Sequence, residues 1–179
     1  DNNNVRYITG SVIGEWSRDK ICRYAMLTGN SEPYLWDFGS AATHHRLFAP
    51  WLEADRCKAG MLGLRGAVAP DAGLFKQAAE EIASLLKADG VADMPVGVDV
   101  SEPPMLEALR AAGLDVRDGQ QVMLDAREIK NQDEISCLKT CAAMVDGVWF
   151  RVWENLRPGM RDTDLMTLGS TAGYEIGLE

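Results

Sequence analysis

The residues best suited to chemistry in this 179-residue chain are few and unevenly placed. Its only two histidines are adjacent, His44-His45, with Arg46 next to them and Trp51 close behind. The surrounding turn signals predict a loop after a strand, where neighbouring side chains point opposite ways. Two such imidazoles do not bind one metal ion; one is expected in solvent and the other hydrogen-bonded to the loop. Cys137 and Cys141 stand four apart on a predicted helix and share a face. No third or fourth ligand stands near them, so they read as buried, reduced thiols. With Cys22 and Cys57 they match neither a zinc spacing nor a dense disulfide framework. Asp162 and Asp164 read as a helix N-cap and a first-turn acid rather than metal ligands. The glycines at Gly60, Gly63 and Gly66 lack the strand–turn–helix setting of a phosphate loop and read as turns.

Composition narrows the classes further. The chain carries 27 acidic and 18 basic residues, a formal net charge of -9. That surface repels phosphate backbones, and its Lys and Arg are scattered, so no nucleic-acid partner is expected. No apolar run approaches the roughly 20 residues of a membrane-spanning helix, so no membrane partner is expected either. No signal peptide is visible, and cysteine usage makes a reducing cytoplasm the default location. The chain opens on Asp-Asn-Asn-Asn without an initiator Met, and its N-terminus is expected to be cut.

The elements that must position these residues follow from propensity and periodicity. Val5–Gly10 has strand propensity, Ile21–Thr28 reads as a central strand, and Gly29-Asn30 turns into a return strand over Pro33–Phe38. Gly39–Pro70 is less regular, with a short strand at Met61–Gly66. Asp71 is expected to cap a helix carrying Leu74, Phe75, Ala78, Ile82, Leu85 and Leu86 on one face, ended by Asp89-Gly90. Val96–Val100 reads as a buried strand. Ser101 then caps a helix whose first turn accommodates Pro103 and Pro104, and Gly113 ends it. Leu114–Arg117 and Gln121–Leu124 read as two more strands. The alternation predicts an α/β layered domain with a central mixed sheet over 1–126. From Asn131 the pattern becomes one long helix. Asn131 and Glu134 form a capping box, and Ile135, Leu138, Ala142, Val145, Val148, Val152 and Leu156 form an apolar stripe. Gly159 stops it.

Three ordered motifs lend these elements a family likeness. Asn4-Val-Arg-Tyr-Ile-Thr-Gly10, Arg127-Glu-Ile-Lys-Asn-Gln-Asp-Glu-Ile135 and Leu156-Arg-Pro-Gly-Met160 resemble corresponding segments of the creatinase/prolidase family. The strings Glu15–Lys20, Trp36–Ala42, His44-His45-Arg46, Trp51–Lys58 and Gly119–Arg127 are similar to its dimethylsulfoniopropionate (DMSP) lyases. The resemblance implies a creatinase N-terminal-like domain over 1–126 and the first helices of a truncated pita-bread catalytic domain over 127–179. It also implies a homodimeric parent enzyme that splits DMSP into dimethyl sulfide and acrylate. Two metal ions, iron favoured, would be held in the missing C-terminal part. No cofactor and no catalytic residue are expected within this fragment.

In that family the N-terminal domain lends loop residues to the partner subunit's pocket, so the resemblance makes Trp16, His44 and Arg46 candidate substrate-binding residues. An indole face favours a sulfonium cation, and a basic side chain could meet the substrate carboxylate. Trp36 reads as core, Trp149 and Trp153 as packing between domains, and Arg127 and Lys130 as ion pairs or a helix C-cap. The alternatives are a Xaa-Pro dipeptidase or aminopeptidase, a creatinase-like hydrolase, or a non-catalytic dimerisation module.

Overall fold

The computed structural model describes residues 1–11, 23–29, 32–37, 39–60 and 69–178, a mixture of helices and two small sheets. It divides into two compact units, Asp1–Ala126 and Arg127–Glu179. The expected short strand at Met61–Gly66 lies outside the described residues.

The first unit opens with a helix, α1 (Asn2–Thr9), where strand propensity predicted a strand. Local and tertiary contacts override that propensity. The Asp1 side chain accepts the Asn3 amide, Gly10 stops the helix at φ 65, and Val5 and Thr9 are buried. Strands β1 (Tyr24–Met26) and β2 (Tyr34–Asp37) form an antiparallel pair with Ala25 opposite Leu35. A helix, α2 (Gly39–Phe48), crosses to β3 (Cys57–Ala59), which pairs parallel to β2. The sheet order is β1-β2-β3, so β2 is central and β1 is an edge, contrary to the central place expected for Ile21–Thr28.

Alternation along β2 fills both faces of this sheet, and all four of its residues are buried. Tyr34 and Trp36 pack with Ala78, Ala79, Ile82 and Leu86 of α3 (Leu74–Ala88) and with Met105 and Leu109 of α4 (Pro103–Ala111). On the opposite face Leu35 meets Val5, Ala49, Leu52 and Cys57. Gly73, at φ 70, occupies the N-cap place of α3, so Asp71 falls instead in a 3-10 turn (Pro70–Ala72). Glu102, not Ser101, stands at the N-cap of α4 and makes no side-chain cap bond.

The second sheet is a parallel pair, β4 (Val96–Val98) and β5 (Val116–Asp118), half-buried rather than fully buried. Gly119 follows β5 so closely against β4 that a Cβ there would stand 2.7 Å from the Gly97 carbonyl carbon. The expected strand Gln121–Leu124 is instead part of α5 (Gln120–Glu128). Asp118 Oδ1 accepts the Gln120 amide at 2.8 Å, and Gln121 donates to Asp125 one turn on at 2.7 Å, both of which favour a helix start.

In the second unit, α6 (Gln132–Asn155) begins on the capping box of Asn131 and Glu134. Gly159, at φ 88, marks the chain reversal before α7 (Asp162–Glu175). Arg161 holds the N-cap place of α7, and its amide donates to Asp164 Oδ2 at 3.0 Å, so Asp162 is inside the helix. Helix α7 approaches α6 at Gly169, where a Cβ would meet Val152 at 3.7 Å and Val148 at 3.9 Å. Among the described residues no helix is long and apolar enough to cross a membrane.

Candidate functional site

Helix α2 carries the densest set of chemically capable residues, and its helical form decides what each can do. Successive residues of a helix turn by about 100°, so His44, His45 and Arg46 leave α2 in three directions. The expected loop is not there. His45 points inward, 2 % exposed, with Nε2 3.1 Å from Asp37 Oδ2. His44 is exposed, and its ring stacks on Phe48, four residues on, at 4.4 Å between centroids. One imidazole in solvent and one hydrogen-bonded is the expected division, though His45's partner is a strand carboxylate rather than the loop.

Asp37 is the centre of a buried polar cluster. Strand alternation places Asp37 on the same face as Leu35, and Arg23, just before β1, on the same face as Ala25. Arg23 Nε lies 3.4 Å from the Asp37 oxygen that also faces His45. Arg23 Nη2 donates to the Ser11 carbonyl at 3.1 Å and to Ser11 Oγ at 3.0 Å. The Thr9 hydroxyl donates to the Val5 carbonyl at 2.8 Å, which leaves Ser11 as donor in the 2.7 Å contact between the two hydroxyls. Buried charges are tolerated when paired and hydrogen-bonded, and removing one partner leaves the other exposed to the full desolvation cost. The cluster therefore ties α1, α2, β1 and β2 together. A general base must reach the proton that it takes; His45 is buried, so the cluster is suited to holding α2 in place.

Arg46 is committed in a different way. Its Nε and Nη2 both donate to the Cys57 carbonyl, at 3.1 and 2.8 Å, fastening α2 to β3. Burial pushes the Cys57 thiol up, against the opposing pull of the Arg46 charge. Trp51 is half-exposed and donates from Nε1 to the Thr9 carbonyl at 2.7 Å. Its ring stands 3.2 Å from the place a Gly10 Cβ would take. Trp36 is core, stacked on Tyr24 at 4.8 Å and donating to Glu81. Burial, and after it the Glu81 charge, pushes the Tyr24 phenol well up. Trp16 lies outside the described residues.

The structure thus keeps His44 and Arg46 on one helix but turns them apart. Sequence reasoning missed Asp37 and Arg23. The available signal was an ionisable residue in register with core residues of a strand, two places from Leu35. Cys137 and Cys141 are exposed, not buried, because the face of α6 that carries them has nothing over it in its own unit. Lys130 Nζ donates to the carbonyls of Arg127 and Glu128, closing the C-terminal end of α5. Among the described residues no group of three or more His, Cys, Asp or Glu side chains could hold a metal ion. No protein-family model and no curated protein matches the chain.

Proposed function

We propose that the chain belongs to a metal-dependent DMSP lyase of the creatinase/prolidase type, in which it serves dimer formation and the rim of the pocket. The observation that carries the reading is the order of three motifs along one chain, at Asn4–Gly10, Arg127–Ile135 and Leu156–Met160. The mixed α/β character of the first unit and the helical second unit are consistent with it. In this reading the two metal ions, iron favoured, sit in a C-terminal domain beyond these residues. The described side chains do not form a site that fits them, so no step of the reaction is assigned to this chain. The reaction itself would break a carbon–sulfur bond of DMSP after loss of the proton beside its carboxylate, releasing dimethyl sulfide and acrylate.

Within that reading His44 is the rim residue with the freest polar edge, since it is exposed on α2. Arg46 uses two nitrogens on the Cys57 carbonyl and would meet a substrate carboxylate only with what remains of its fork. Trp16 keeps its role as the aromatic that would face the sulfonium. The test is gas-phase detection of dimethyl sulfide from the full-length parent and DMSP, with and without added iron. Metal-dependent release is expected, and none from the 179 residues alone. Hydrolysis of Xaa-Pro dipeptides with no dimethyl sulfide would replace the lyase with a peptidase. Trp16→Ala, His44→Ala and Arg46→Ala in the parent are expected to raise KM. Unchanged turnover and affinity in all three would remove the rim role.

A further inference from the structure

Cys137 and Cys141 are free thiols, both exposed on α6. Turning about 100° per residue, the helix sets Cys141 about 40° to one side of Cys137 and Met144 about 20° to the other. Three sulfurs therefore share one narrow stripe, two thiols followed by a thioether. Met144 is half-buried and stands three residues past Cys141. Residues three and four apart are neighbours on a helix surface, with Cβ atoms about 5–6 Å from each other.

That spacing decides between the two reactions open to paired thiols. A disulfide brings its Cβ atoms to about 3.5–4.5 Å, closer than one turn of intact helix allows. A metal ion held between two sulfurs, with metal–sulfur bonds of about 2.3 Å, needs no such approach. The surroundings also suit a cation. Thr140, between the two cysteines, turns its hydroxyl to the Ser136 carbonyl at 3.0 Å and does not compete for the ion. Asp133 and Glu134 bring negative charge one turn before Cys137, and Lys139 stands on the opposite side of the helix.

The donor set selects the ion. Structural zinc takes four ligands from thiolate, imidazole and carboxylate, whereas thiolate together with thioether suits the soft ion Cu(I). Binding would exchange two thiol protons, released to solvent, for two Cu–S bonds. The thioether adds a third bond as a neutral donor, and copper keeps its oxidation state throughout.

We propose that Cys137, Cys141 and Met144 form a surface site for one Cu(I) ion, with two thiolates and a thioether drawn from a single helix. The proposal stands independently of the lyase reading, whose metal ions would be held by other residues.

The test titrates the reduced 179-residue chain with Cu(I), kept in that state by ascorbate under nitrogen, against the coloured chelator bicinchoninate. Cys22→Ser is carried throughout, since Cys22 lies outside the described residues, and Cys57 is buried. One copper per chain is expected, with three sulfur neighbours by X-ray absorption and the protein monomeric in sedimentation. Cys137→Ser and Cys141→Ser are each expected to weaken binding about a hundredfold or more, since even partners behind a ligand cost about ten- to a hundredfold. Met144→Leu is expected to leave two sulfur neighbours and to weaken binding less. A chain with Cys141→Ala and Ala143→Cys keeps the thiol count but carries the second thiol across the helix. It is expected to bind as weakly as the single-serine chains, with helicity by circular dichroism unchanged. Equal binding by the original and the displaced-thiol chain overturns the proposal, because any two thiols would then serve. Three sulfur neighbours remaining in Met144→Leu overturn the place of the thioether. Copper at half an equivalent with dimers gives the thiols to a bridge between copies, and removal of copper by excess zinc ion gives them to a borderline metal; either overturns the site.

Discussion

Trp36 and Trp153 are the same residue in opposite circumstances, 0 % and 75 % exposed. The first unit folds its apolar residues onto both faces of β2. The second leaves α6 without one buried residue, and Leu138, Val145, Trp149, Phe150 and Trp153 are all exposed. Yet the α6 stripe was the cleaner pattern in the sequence. An amphipathic pattern records that a helix has an apolar face, while burial depends on what is laid against it. In the first unit sheet and helices cover each other. In the second, α7 meets α6 at Val148 and Val152, and Arg151 of α6 pairs with Glu175 of α7. The Asn131 box closes the first turn of α6 locally, whatever lies along the rest of its face.

That contrast can be broken at several points. Trp36→Ala removes the largest fully buried side chain among the described residues and is expected to cost about 3–5 kcal/mol in urea unfolding. A cost below about 1 kcal/mol would mean that the first unit is held otherwise than by this core. Asp99→Asn comes next. Burial raises the Asp99 carboxyl, but hydrogen bonds from the Asp1 ammonium, Asn4 and the Val100 amide outweigh it and hold it below the usual range. A depressed carboxyl stabilises the fold above its unfolded pKa and loses that contribution as pH falls through its folded pKa. The variant is therefore expected to be about 1.5 kcal/mol less stable at neutral pH, the gap closing in acid. A gap independent of pH would refute the assignment.

Asn131→Ala is expected to cost the second unit about 1 kcal/mol, read as lost helicity by circular dichroism. No loss would show that packing, not the cap, governs α6. Smallest of these is Trp153→Ser, expected to change stability by under about 0.5 kcal/mol. A cost like that of Trp36→Ala would show the α6 face to be covered in solution and end the contrast.

Legibility followed the size of the buried side chains. Helices α3, α4 and α6 were readable because large apolar residues recur at helical spacing, and the Asn131 box because its geometry is local. Helix α2 was not, since its buried positions are Ala41, Ala42, His45 and Ala49, or just after it, with little apolar bulk to mark a face. Helix α1 was misread because Val5, Tyr7, Ile8 and Thr9 favour strands, while the Asp1 cap and the burial of Val5 and Thr9 decide for a helix. Helix α5 buries nothing, so no period could betray it. The Arg23–Asp37–His45 cluster depended on which residues of β1 and β2 stand opposite one another, and that register is set by folding.

The close approach of Gly119 to Gly97 has a kinetic side. It joins the two ends of β4–α4–β5, a local closure, and proteins assemble fastest through contacts near in sequence. The entropy of closing such a loop is modest, so this hairpin-sized crossover is expected to dock early and serve as a seed for the slower, longer-range pairings of the first sheet. A side chain at Gly119 would then lower stability through slower folding rather than through faster unfolding. Gly119→Ala should refold more slowly while unfolding at nearly its usual rate; a refolding rate left unchanged would place the seed elsewhere.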